Sequence, residues 1–287
     1  MFGSHINRYH AKNKSATIAE HIEAARIEAL NGASFVIKVV AIFVGGPKNR
    51  KISLRPDERA QLINYIERTK IRVIAHSAYS AYPWRGDDIS LKYIRDEINV
   101  CREAGISGLV IHLPKLPIDD MMQYIPHIHD PVVRIYLETP AAIQCFETVA
   151  KLANLFATIR AAGFDNFGLC IDTAHLWTAG VDLQTYDAAQ QWLQELENVS
   201  DIIPASSVMI HLNDSAREKR KGPDAHASLT QGKIWGEYKN NIQIQNSGLA
   251  AFVDYALRND TMTILERKPR EVLIEDYFVL RNLIPPA

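Results

Sequence analysis

The sequence predicts an α/β chain closed into a (β/α)8 barrel, the TIM barrel, and three observations predict it. Eight apolar runs rich in β-branched residues alternate with segments of helical period, the pattern of a parallel sheet with right-handed crossovers. The first run passes into Asn7-Arg8-Tyr9-His10 without the Gly-x-Gly-x-x-Gly turn that usually opens a doubly wound sheet, so closure is favoured over an open sheet. At 287 residues and 47% hydrophobic, the chain can bury a large core, and one barrel typically takes about 250 residues, so a single domain over residues 1–287 is the economical division.

The elements follow in order. Residues 2–6 are the first strand. Residues 15–30 read as a helix, Ala- and Glu-rich, apolar at Ile18, Ile22, Ala25 and Ala29, opened by Ser15 and closed by Asn31-Gly32. The second strand spans 35–43, and a helix over 56–70 leads to the third at 71–76. A helix over 89–104 precedes the fourth strand at 109–112, and the fifth covers 132–138. A helix over 145–162 leads to the sixth strand at 167–172, one over 186–198 to the seventh at 208–212, and one over 248–258 to the eighth at 262–266. A last helix covers 272–283. No repeat, low-complexity stretch or linker-like change of composition interrupts the series, and the terminal Pro285-Pro286-Ala287 is expected to fray.

Composition narrows the function. The net charge of −1 argues against a chain that binds polyanions through its overall charge. The basic clusters Lys48-Asn49-Arg50-Lys51 and Arg217-Glu218-Lys219-Arg220-Lys221 sit in loop-like segments, where solvated charge is the ordinary reading. Cys101, Cys145 and Cys170 are odd in number and dispersed, which gives neither a disulfide framework nor a cysteine zinc knuckle. They suit a reducing, intracellular compartment. The start Met1-Phe2-Gly3-Ser4-His5 has no signal-peptide pattern, and no apolar run approaches the ~20 residues of a membrane helix, so no membrane partner is expected.

In barrel enzymes the chemistry sits at the C-terminal ends of the strands. The third run ends in His76, the fourth in His112, the fifth in Glu138, the sixth in Asp172 with His175 just beyond, the seventh in His211 and the eighth in Glu266. The loop after the seventh strand adds Asp224-Ala225-His226. A single histidine closing a strand is usually an ordinary hydrogen-bonded residue, and a single carboxylate there is commonly a helix cap. Six consecutive strand ends of this kind are a site. Four carboxylates in one cavity would repel one another unless cations were bound there. Imidazole and carboxylate without thiolate suit zinc, and manganese less well. Nine ligands exceed the needs of one or two tetrahedral ions; three fit if one carboxylate bridges. Three divalent cations against four carboxylates leave a local charge of about +2, which attracts a phosphodiester.

This constellation resembles the endonuclease IV family of zinc-dependent apurinic/apyrimidinic (AP) endonucleases, trinuclear-zinc barrels of base-excision repair. The likeness runs from Gly3-Ser4-His5 to Glu266 and is most specific at Cys170-Ile171-Asp172-Thr173-Ala174-His175 and His211-Leu212-Asn213-Asp214. His226-Ala227-Ser228-Leu229 and Ile234-Trp235 look most like members from large DNA viruses. The resemblance implies three zinc ions per chain, with manganese as the alternative at one site. Glu138 would bridge an ion held by His76 and His112 and one held by Asp172, His211 and Glu266, and His175, Asp224 and His226 would hold the third. It implies hydrolysis of the phosphodiester 5′ of an abasic deoxyribose in double-stranded DNA, giving a 3′-hydroxyl and a 5′-deoxyribose phosphate, with Glu266 also orienting or deprotonating the attacking water. The expected compartment is then nucleus or cytoplasm, or the viral factory or virion for a viral member, and the expected state is a monomer.

The family places a minor-groove wedge just after the first histidine ligand; here that loop reads Ser77-Ala78-Tyr79-Ser80, so Tyr79, with Ser80, is the expected DNA contact, and Lys48 and Arg50 are expected at phosphate or in the stack. This chain departs from the family pattern at His112-Leu113-Pro114, where His-Pro-Gly is common, and at Asp224-Ala225-His226, where Asp-Arg-His is common. It departs also at Gly45-Gly46-Pro47 and in lacking a leucine after Ser80. No expected ligand is lost. The competing reading is a single-metal sugar isomerase or epimerase of the xylose-isomerase-like barrel class, which needs only Glu138, Asp172, His211 and Glu266. A non-catalytic DNA-binding relative would have lost ligands.

Overall fold

A computed structural model of the chain describes residues 1–8, 15–46, 48, 51–79, 82–141, 145–267 and 270–285. The strands are β1 (Phe2–His5), β2 (Val39–Ile42), β3 (Arg72–His76), β4 (Gly108–His112), β5 (Arg134–Glu138), β6 (Phe167–Asp172), β7 (Val208–His211), a small ribbon of β8 (Asp214–Ser215) with β9 (His226–Ala227), and β10 (Met262–Leu265). Eight of them run parallel around a closed barrel in the order β1-β10-β7-β6-β5-β4-β3-β2, the ends joined by pairing of β1 with β2 and with β10. The expected TIM barrel is the observed one. Closure leaves the barrel no open edge.

Strand alternation divides the apolar residues into two layers. Inward-facing Ala41, Ile74, Val110, Tyr136, Cys170, Met209 and Ile264 belong to one buried cluster inside the barrel. Outward-facing residues such as Val40, Leu109, Ile135, Leu169 and Ile210 join a second cluster with the inner faces of the helices, among them Ile22, Leu62, Ile94, Leu155, Leu193 and Phe252. Burial of each large side chain contributes about 1.5–3 kcal/mol. Inside the barrel, Tyr136 lies across glycines of both flanking strands: a Cβ at Gly108 or at Gly168 would come 2.7 Å from its ring.

Several boundaries differ from the expectation for identifiable reasons. The first helix is Ile18–Ala33, capped by Thr17 rather than Ser15. The Glu20 carboxylate accepts the Thr17 N–H at 2.6 Å while Thr17 Oγ1 accepts from Glu20 N, a reciprocal box that Ser15 cannot form. Asn31-Gly32 stays helical because Gly32 packs on Ile274, whose Cδ1 would lie 2.9 Å from an added Cβ, and the helix stops at Ser34 in the left-handed region. The strand expected from 132 starts at Arg134, because Asp130 Oδ1 accepts from the N–H groups of Val132 and Val133 and holds a turn there. The helix expected from 145 starts at Val149, capped by Thr148. The ribbon of β8 and β9 and the short helices Ile118–Met122, Ile125–Ile128 and Thr173–Ala179 had no periodicity to announce them. Among the described residues, no helix is long and apolar enough to cross a membrane.

Candidate metal centre

The residue two places beyond each interior apolar position also faces inward, and at the C-terminal mouth that residue changes character. Beyond Ile74, Val110, Tyr136, Cys170, Met209 and Ile264 come His76, His112, Glu138, Asp172, His211 and Glu266; His5 and Phe43 complete the ring from β1 and the end of β2. Register sets their neighbours. His112 stands beside Glu138 across β4 and β5, and Asp172 beside His211 across β6 and β7.

Glu138 is fully buried at the centre. Its Oε2 lies 2.8 Å from His112 Nε2 and 3.2 Å from His76 Nε2, and its Oε1 2.8 Å from His211 Nδ1 and 3.7 Å from His175 Nδ1. His211 Nδ1 also lies 3.4 Å from Glu266 Oε2 and 4.0 Å from Asp172 Oδ2. The third group forms beside it: Asp224 Oδ2 is 3.5 Å from His175 Nε2 and 3.2 Å from His226 Nε2, which is in turn 3.5 Å from Asp172 Oδ2. Each of the nine residues expected at the strand ends and in the loop is therefore in this cluster.

Backbone carbonyls fix two of the imidazoles. His76 Nδ1–H donates to the Ser77 carbonyl and His175 Nδ1–H to the Thr139 carbonyl, both at 2.8 Å, so each ring turns Nε2 toward a carboxylate. The buried Nε2 atoms of His5 and His211 have no hydrogen-bond partner. Lone pairs aimed at carboxylates, with orphaned nitrogens beside them, fit divalent cations held by nitrogen and oxygen. The groups His76, His112, Glu138; Glu138, Asp172, His211, Glu266; and Asp172, His175, His226 each bring their ligand atoms within 4.8 Å of one another. Cys170 reaches the same distance from Glu138 and His211, but burial, reinforced by Glu138, pushes its thiol well up and keeps it protonated.

The electrostatics show the same demand for positive charge. Burial opposes charge on His76 and His226, yet Glu138 for the first, and Asp172 and Asp224 for the second, raise both pKa values to about 9. Burial also opposes charge on His175 and His211, which are nonetheless raised, by Asp172 and by Glu266 respectively. Burial alone would push Glu138 and Glu266 up, but His112 and His211 pull Glu138, and His211 and His5 pull Glu266, well below the usual carboxylate range.

Asp214, fully buried, shapes the loop that carries Asp224 and His226. Its Oδ1 accepts from Ser215 N at 2.8 Å and Ile234 N at 2.9 Å, and its Oδ2 from Gly232 N at 3.1 Å. The basic cluster in that loop is partly committed: Lys219 lies 3.0 Å from Asp182 and 5.1 Å from the Trp177 ring centre, and Glu218 pairs with Lys233.

The expected DNA contacts are placed less completely. Tyr79 is 54% exposed at the mouth, its ring centre 5.7 Å from that of His76 and 5.5 Å from that of His112. Its loop is held from behind by buried Glu97, which accepts from Ser77 Oγ and Ala78 N. Lys48 is exposed in the turn after β2, while Ser80 and Arg50 lie outside the described residues. Sequence reasoning missed His5, whose Nδ1 is 3.8 Å from Glu266 Oε1, and gave no role to Asn213, which bonds to both Asp172 and Glu266. A signal existed for each: His5 closes the first strand, and Asn213 lies in a quoted strand-end motif.

Comparison with known proteins gives a consistent picture. A family model described as a xylose isomerase-like TIM barrel matches residues 33–267. A probable AP endonuclease of African swine fever virus (isolate Tick/Malawi) is 38% identical over 241 residues, 81% of this chain and 80% of the viral one. This agrees with the viral look of residues 226–235. A probable endonuclease 4 of Mycoplasmopsis synoviae is 23% identical over 75% of this chain and 79% of its own. The crystal structure of AsfvAP:AG superimposes with a TM-score of 0.93 at 34% identity, over 99% of this chain and 98% of that one. Endonuclease IV from Thermus thermophilus, at 21% identity and a TM-score of 0.72 over 98% of both chains, shares the fold.

Proposed function

Since this chain belongs to the xylose isomerase-like TIM barrel family, alongside AP endonucleases within it, we propose that it is a DNA-repair endonuclease. The bond hydrolysed is the phosphodiester 5′ of an abasic site in duplex DNA, and the products are a 3′-hydroxyl and a 5′-deoxyribose phosphate. The relatives support an AP endonuclease function. The observation that carries the finer reading is Glu138, a buried carboxylate with three imidazole nitrogens within 3.2 Å on its two oxygens. A carboxylate so surrounded would suit a ligand shared between two ions.

Three zinc ions are assigned accordingly, with manganese as the alternative at one site. His76, His112 and Glu138 would hold the first; Glu138, Asp172, His211 and Glu266 the second; His175, Asp224 and His226 the third. Bound there, the ions would lower the pKa of a water, neutralise charge on the phosphate and clamp the entering and leaving oxygens. The chain's own part is distinct. Glu266, 13% exposed at the rim of the cluster, orients or deprotonates the attacking water. Tyr79 fills the space left when the abasic sugar rotates out of the stack, and Lys48, Arg50 and Ser80 meet the backbone.

A duplex carrying one tetrahydrofuran abasic analogue tests this, because the analogue cannot undergo β-elimination. A single nick on its 5′ side with an extendable 3′-hydroxyl is the expected result, and no nick from zinc-loaded protein rejects the reading. The group Glu138, Asp172, His211 and Glu266 alone would serve a single-metal sugar isomerase or epimerase. That reading leaves His76, His112, His175, Asp224 and His226 without work, and one metal ion per chain would restore it.

A further inference from the structure

Asn213 follows β7 and is fully buried between two carboxylates of the centre. Its side-chain oxygen accepts from Glu266 N at 3.0 Å and from Arg267 Nη1 at 2.8 Å. Two N–H donors on that atom force the amide orientation, so both Nδ2 hydrogens point the other way. One goes to Asp172 Oδ2 at 2.7 Å and one to Glu266 Oε2 at 3.3 Å. Every hydrogen-bonding position of the amide is thus used, and Glu266 is gripped at its backbone and its carboxylate together. Asp172 has no slack either, because its Oδ1 accepts from His175 N at 2.9 Å.

Asn213 is itself anchored on both sides. Its N–H donates to Thr173 Oγ1 at 2.8 Å, and its carbonyl accepts from that hydroxyl at 2.7 Å. Arg267, buried, donates Nη1 to the Glu266 carbonyl at 2.8 Å and holds Nε 3.1 Å from Asp276 Oδ2 on the last helix, whose Oδ1 accepts from Leu229 N. A frame independent of any ion therefore runs from the last helix to the carboxylates.

We propose that Asn213 is a positioning residue that sets the spacing of Asp172 and Glu266, and so the affinity of the metal position these two share. This rests on the reading of the cluster as a metal centre. The physical reason is that two neighbouring carboxylates repel, and a neutral double donor holds them in one geometry without adding charge or occupying their remaining lone pairs.

The test compares the wild type with Asn213→Asp, which keeps the shape and turns the donor into an acceptor, and with Asn213→Ser, a shorter neutral side chain. Zinc content and affinity are measured by competition with a chromophoric chelator, the visible spectrum of the cobalt(II) form is recorded, and circular dichroism reports folding. Binding of one ion is expected to weaken by roughly 10–100-fold in Asn213→Asp and by less in Asn213→Ser, with altered cobalt bands and a retained fold. Unchanged affinity and bands in both variants overturn the proposal. So does failure of both to fold, which would make the residue structural. The wild-type ion count tests the trinuclear reading separately. With one ion per chain that reading falls, yet the ratio of variant to wild-type affinity still tests Asn213, because Asp172 and Glu266 belong to the single-metal set as well. A wild type that binds no metal overturns both.

Discussion

Glu266 Oε2 lies 3.4 Å from His211 Nδ1, although Glu266 sits one residue beyond the end of β10 and its partner closes β7. On its other face that nitrogen is 2.8 Å from Glu138, so His211 stands between a deeply buried carboxylate and one that reaches the rim. On the proposed reading the inner carboxylate would be shared between ions and the outer one would meet the attacking water. Glu266→Gln preserves the shape and removes the base. Turnover on abasic duplex is expected to fall by about 10³-fold, with DNA binding by anisotropy largely retained and zinc content measured in the same sample. Undiminished turnover removes Glu266 from the mechanism.

Tyr79 presents an exposed ring that leans on the imidazoles of His76 and His112. Tyr79→Ala is expected to keep the metal and to reduce the preference for abasic over intact duplex by about 1–3 kcal/mol, the usual value of one aromatic–base stack. Competition binding with the two duplexes measures it. A preference equal to that of the wild type places the wedge elsewhere.

The pH dependence should change sign with metal. In the metal-free protein His76 and His226 titrate near 9, above the ordinary 6.5, so the stability they contribute is complete below pH 6.5 and is lost as pH rises through about 9. Glu138 and Glu266 are depressed below 4.5, so their contribution is present above that pH and fades on acidification. The chelated protein is therefore expected to melt highest between about pH 4.5 and 6.5 and progressively lower toward pH 9. Zinc requires deprotonated imidazoles, so the loaded protein should gain stability over that same rise in pH. Calorimetry with and without chelator decides it; parallel profiles would mean that these histidines do not bind the ion.

Tyr136 depends on Gly168. An added Cβ there would lie 2.5 Å from the Ser207 carbonyl oxygen and 2.7 Å from the Tyr136 ring, and the carbonyl cannot yield. Gly168→Ala is expected to destabilise the barrel by about 1–3 kcal/mol. Because Glu138 and Asp172 follow on the same two strands, zinc affinity should drop with it. Denaturant unfolding with a zinc titration is the check, and wild-type values for both would show that the interior adapts.

Much of the centre was legible because a barrel strand has period two. Once Ile74, Val110, Tyr136, Cys170, Met209 and Ile264 are placed inside, His76, His112, Glu138, Asp172, His211 and Glu266 must face the same axis at the mouth. His175, Asp224 and His226 were legible only as members of a pattern, since a loop has no period. The choice of Thr17 over Ser15 as a cap turned on Glu20, three residues after Thr17, and both side chains are competent caps by type.

Alternation and capping are local properties of a few consecutive residues, so the order of strands and helices and the residue types that end on the axis can be read from the chain alone. Which of those residues meet is set by the closed fold. Asn213 and Glu266 are 53 residues apart and bond because the register of β7 against β10 sets His211 beside Ile264. Nothing within a single segment sets that distance. It is a property of barrel closure, which brings β10 between β7 and β1 and leaves Asn213 as a neutral amide between two carboxylates.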